Sequence, residues 1–109
     1  MRLAAALLAL AVLGPAAAGA QDLRAGRAVA GRSCVACHGV DGIAKLPEAA
    51  NLAGQDAAYL TRQLQAFRDG GREHKQMSVI AKGLSEAQMA DFAAYCNAVQ
   101  IEVVKVPAP

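Results

Sequence analysis

Residues 34–38 read Cys34-Val35-Ala36-Cys37-His38. Cysteines at i and i+3 lie on one face of a helical turn, so both sulfurs can reach the same flat partner, and the adjacent histidine is delivered to one side of it. A C-x-x-C-H run is the pattern for covalent attachment of a c-type haem, with the two thiols on its vinyl groups and the histidine on its iron. Two other readings of the cysteine pair ask for more than the chain supplies. A thioredoxin-like dithiol belongs beside a βαβ pattern, and a zinc site needs two further ligands at sensible spacing.

Before the motif, Asp22 to Ser33 fits a short helix: Leu23, Ala25, Ala28, Val29 and Ala30 supply apolar material and Asp22 stands near its start. Gly26 and Gly31 weaken it, and Gly26 is a candidate for a place where another backbone comes close. After the motif, Gly39 to Gly54 holds Gly39, Gly42, Pro47 and Gly54 with no period, an irregular loop of the kind that wraps something functional. Asp56 to Asp69 is a clearer helix, with Leu60, Leu64 and Phe67 at i, i+4, i+7 and Gly70-Gly71 as its stop. A second loop, Arg72 to Leu84, leads to a final helix. Ser85 and Gln88 make its capping box, Met89, Phe92, Cys96 and Val99 form its buried stripe, and it runs to about Gln100. Ile101 to Pro109 reads as an extended or frayed terminus.

The sixth position on the iron decides between electron transfer and small-molecule binding. A methionine thioether there raises the reduction potential. Met77, in the second loop, is the candidate for approach from the side opposite His38. His74, three residues earlier, is the alternative that gives a bis-histidine iron, although Glu73 and Lys75 beside it suggest solvent. Met89 belongs to the core stripe of the last helix. Cys96 reads as a small apolar filler of that stripe, with a reactive thiol as the other reading.

Composition agrees with a cofactor at the centre. The chain has 109 residues, no Trp, and only Tyr59, Tyr95, Phe67 and Phe92 as aromatics, so a flat apolar group would supply missing core volume. Arg2, the apolar run Leu3 to Leu13 and the small residues Ala18-Gly19-Ala20 have the layout of a secretory signal. We therefore expect cleavage after Ala20, a mature domain over residues 21–109, and no lasting membrane insertion. A net charge of +2 does not suit a binder of many nucleic-acid phosphates.

With the haem motif in place, the rest of the chain resembles the class I cytochromes c, among them small bacterial cytochromes c-553 and the domains of cytochrome c4. Leu52-Ala53-Gly54-Gln55 with Tyr59-Leu60 and Gln63-Leu64 resembles that family's middle helix and its approach. Arg72, Met77-Ser78, Leu84-Ser85 and Ala93-Ala94-Tyr95 resemble its distal loop and last helix. The resemblance implies an all-α fold of three to four helices wrapped around one covalent haem c, with the terminal helices crossing where Gly26 meets the last helix near Tyr95. It also implies His38 as proximal and Met77 as distal iron ligand. Relatives commonly carry proline where this chain has Ala50, at the carbonyl that steadies the proximal histidine.

The expected activity is that of an electron carrier rather than an enzyme: a periplasmic, single-haem protein cycling between ferric and ferrous iron. Its alternative is a haem subunit of a larger periplasmic dehydrogenase or oxidase. Redox partner proteins should dock briefly at the exposed haem edge, the protein itself being a monomer or weak dimer. Arg68, Arg72, Lys75 and Lys82 stand on or near the distal loop, either steering acidic partners or merely solvated.

Overall fold

Asp22 opens the first helix because its carboxylate accepts the otherwise unpaired amides of Arg24 and Ala25, at 2.9 and 3.0 Å. The computed structural model describes residues 21–109, so the expected signal segment, 1–20, lies outside the described residues. Helix α1 is Leu23–Val29. Its hydrogen-bond ladder widens into a π-helical turn, Ala30–Cys34, and resumes as α2, Val35–His38. The helix expected to end at Ser33 thus continues through the cysteine motif. It stops at Gly39, whose φ of 73° is costly for any residue with a side chain.

Helix α3, Ala57–Asp69, starts where Asp56 accepts the amide of Tyr59 at 2.7 Å and ends at Gly70, as its sequence pattern indicates. Helix α5, Glu86–Ala98, begins with the expected capping box: Gln88 N–H donates to Ser85 Oγ at 3.1 Å and Ser85 N–H to Gln88 Oε1 at 2.9 Å. It ends slightly short of Gln100 because Val99 turns extended. The segment expected as a plain loop, Arg72 to Leu84, contains a further helix, α4, Met77–Lys82. The architecture is therefore all-α, with four helical stretches and no strand among the described residues. Residues 101–109 are exposed and without secondary structure, and none of the described helices is long and apolar enough to cross a membrane.

The terminal helices cross. A Cβ added at Gly26 would lie 2.1 Å from the carbonyl oxygen of Asp91 and 2.7 Å from Cβ of Tyr95, so only a hydrogen fits at the contact. Asp22 N–H also donates to Asp91 Oδ1 at 2.9 Å. Around this crossing, Val29 and Ala30 meet Leu60, Leu64, Phe67, Ala81, Leu84, Met89, Phe92, Ala93 and Cys96 in one buried cluster. Met89 and Cys96 are both core, as their place in the stripe predicts. Helix α5 packs on α1 and α3, and α4 packs on α3, while α2 simply extends the π turn.

Candidate functional site

Cys34 closes the π turn and caps α2, with Cys37 and His38 in the turn that follows. All three are half-buried, and neither cysteine is in a disulfide. Burial, and then the neighbouring Cys37, push the Cys34 thiol up to about 11. Such surroundings disfavour a thiolate and suit an uncharged sulfur such as a thioether.

His38 Nδ1 lies 2.7 Å from the carbonyl oxygen of Ala50. A carbonyl only accepts, so Nδ1 carries the proton and Nε2 is left with a free lone pair, the arrangement a metal-binding imidazole requires. The loop that brings Ala50 into place is itself held at several points. Lys45 N–H donates to Cys37 O at 2.8 Å, Leu52 N–H and Ala53 N–H both donate to Gly42 O, and Ala44 N–H donates to Asn51 Oδ1. The last helix holds the loop from outside: Gly54 N–H donates to Cys96 O at 2.8 Å, Asn97 Nδ2 to Gln55 O, and Tyr95 O–H to Val40 O at 2.6 Å. Proline is thus not needed at position 50, since any residue's carbonyl accepts the bond.

Met77 is the first residue of α4, half-buried and packed against the core cluster. His74 is exposed, and its Nδ1 accepts the amides of Gln76 and Met77, each at 3.2 Å. Arg72 is folded back on α3: its guanidinium lies 4.6 Å from the Phe67 ring centre and donates to Gln63 Oε1. Arg68 is bonded to Asp69 and Glu86. Of the four basic residues considered for partner steering, these two are engaged within the chain.

The residues fit a flat, apolar prosthetic group. The polypeptide leaves Val35, Ile43, Leu46, Tyr59 and Val79 between 39% and 70% exposed, and these come from α2, the loop after it, α3 and α4. They are apolar side chains that a flat group can cover. The donor set is two thiols, an imidazole with a bare Nε2 and a thioether. Among the described residues no three His, Cys, Asp or Glu side chains gather into a metal cage, so the zinc reading of the cysteines lacks its ligands.

The family model for cytochrome c matches residues 23–100. The chain belongs to the cytochrome c family. A cytochrome c carries haem c attached covalently, with its iron, and serves as an electron carrier. This cytochrome c is 46% identical over 78 residues to cytochrome c-554(548) of Halomonas halodenitrificans, a match covering 65% of the chain and 94% of that protein. It is 43% identical over 89 residues to cytochrome c4 of Pseudomonas aeruginosa, covering 82% of the chain but 43% of that protein. The crystal structure of reduced recombinant cytochrome c4 from Pseudomonas stutzeri superposes with a TM-score of 0.68 at 36% identity, over 74% of this chain and 47% of the other. The chain thus spans nearly the whole of one relative and about half or less of the cytochromes c4.

Sequence reasoning missed one participant. His74 entered as a rival ligand, yet its side chain engages the backbone of Met77. The available signal was the spacing His74-x-x-Met77, which lets a side chain reach back-to-back amides two and three residues on.

Proposed function

We propose that this cytochrome c is a periplasmic single-haem electron carrier whose haem is fixed by Cys34 and Cys37 and whose iron is held by His38 and Met77. The hydrogen bond from His38 Nδ1 to Ala50 O carries this reading, because it orients the imidazole and bares Nε2 in a residue directly after the cysteine pair. Haem iron supplies a one-electron couple between ferric and ferrous states. The chain supplies the rest. Cys34 and Cys37 keep the group from leaving, while the α1–α5 crossing and the loop through Ala50 hold His38 from behind. Met77 would offer its sulfur to the iron, and an iron held by both His38 and Met77 would take up no small molecule and need little rearrangement on changing oxidation state. The exposed apolar residues around the group exclude water from its faces and offer a surface for brief docking by redox proteins. The layout of residues 1–20 supports export.

The test is the optical spectrum of the oxidised and reduced holoprotein beside that of Met77→Ala. The wild type should be low-spin, with a weak near-infrared sulfur-to-iron band that the variant lacks, and the variant should bind carbon monoxide. A wild type that is high-spin, or that takes up carbon monoxide readily, would overturn the carrier reading.

A further inference from the structure

We infer that His74, two residues before the N-cap position of helix α4, is the residue that positions Met77 for the iron. The inference rests on the proposed ligation by Met77 and says what keeps that sulfur in place.

Helix α4 has six residues, too few to be stable by itself; Ala81 seats its middle in the core, and its first turn needs an anchor. The anchor is one residue. His74 Nδ1 accepts from the amides of Gln76 and Met77, two and three residues on, the pair of donors that an Asn, Asp or Ser N-cap satisfies. His74 N–H donates to Ser78 Oγ at 3.0 Å, and Ser78 N–H donates to His74 O at 2.9 Å. Side chain and backbone of His74 are thus bonded reciprocally to the opening turn, as in a capping box closed one residue later. Gln76, the residue at the N-cap position, makes no side-chain cap bond of its own.

The consequence falls on Met77. Its own amide is one of the two that His74 holds, so the backbone carrying the flexible thioether is fixed directly. Upstream, the Gly70-Gly71 pair gives the chain freedom that is taken up again at Arg72, whose amide donates to Ala66 O and whose side chain lies on Phe67. Between Arg72 and Met77, His74 is the fixing point, since Glu73 and Lys75 are exposed and make no side-chain bond among the described residues. Because Nδ1 accepts twice, the ring proton sits on Nε2. His74 therefore acts here as the support of the distal ligand.

The test compares wild type, His74→Ala, His74→Asn and Lys75→Ala as oxidised holoproteins. Added imidazole competes with Met77 for the iron, and the reduction potential reports how firmly the sulfur is held. His74→Ala should bind imidazole about fivefold more tightly and have a lower potential; fivefold corresponds to about 1 kcal/mol at 1.4 kcal/mol per tenfold, the usual cost of a lost N-cap. His74→Asn should restore both values, because its amide oxygen accepts the same two N–H groups, and Lys75→Ala should match wild type. Wild-type imidazole affinity and potential in His74→Ala, or no rescue by His74→Asn, would overturn the positioning role while leaving Met77 as ligand. A wild type without the sulfur-to-iron band would remove the ligation itself, and the positioning role with it.

Discussion

The Nδ1 of His38 and the carbonyl oxygen of Ala50 are 2.7 Å apart, across a loop whose two arms are hydrogen-bonded to one another through Gly42. The amide of Ala50 donates no hydrogen bond among the described residues, so removing it should cost nothing. Ala50→Pro should raise the unfolding free energy by about 0.4–1 kcal/mol, by restricting the unfolded chain, and leave the haem spectrum unchanged. Denaturant unfolding of the holoprotein measures it. A drop in stability would mean that the loop cannot take a proline's geometry.

Gly26→Ala should cost about 3 kcal/mol or more. The added methyl would meet the backbone of Asp91, which cannot rotate away as a side chain would, so relief requires moving α1 off α5. A melting temperature within a degree or two of wild type would show that the crossing is looser than described.

Acid should weaken the link between α3 and α5. Hydrogen bonds from Gln65 and then Arg68 hold Glu86 below the ordinary carboxylate range, and the bond from Arg68 does the same for Asp69. Both carboxylates bind protons more weakly folded than unfolded, so their contribution is complete at neutral pH and is lost as pH falls below about 4. Arg68→Gln should therefore show a shallower loss of stability between about pH 5 and pH 3. Both groups are exposed, so about 1 M salt should erase most of the difference. Equal acid limbs for the two proteins at low salt would rule the link out.

Cys96 should behave as a hydrocarbon. It is 1% exposed, and burial first, then Cys34, push its thiol up to about 12. A maleimide reagent should leave it untouched in the folded holoprotein and modify it fully in denaturant. Rapid labelling under native conditions would revive the reactive-thiol reading.

Local chemistry made much of this molecule readable in advance. Asp22, Asp56 and Ser85 are standard caps, and they announce α1, α3 and α5 because a short polar side chain satisfies the same orphan amides wherever it stands. The motif from Cys34 to His38 is local too. Helix α4 was hidden because Gln76, at its N-cap position, makes no side-chain cap bond, and because six residues are too few to show a period. The π turn was hidden because residues 30–34 have no composition that distinguishes a wide turn from an α-helical one. Ala50 was visible only through the family resemblance. Its role belongs to a backbone oxygen, which every residue has, and the pairing with His38 spans a loop that no periodicity describes.

The crossing of the two terminal helices has a consequence for how the chain reaches this shape. Asp22 and Asp91 are joined across a sequence separation of 69 residues, so the contact that seats the first helix forms only when almost the whole domain has been gathered into one loop. The entropy of closing that loop must be met before either end is rewarded. The two ends work as a clasp, and with Gly54 fastened to Cys96, opening the clasp also unseats the strap behind His38. Assembly should accordingly be all-or-none, and fragments severed between α2 and α3 should recover structure only when mixed.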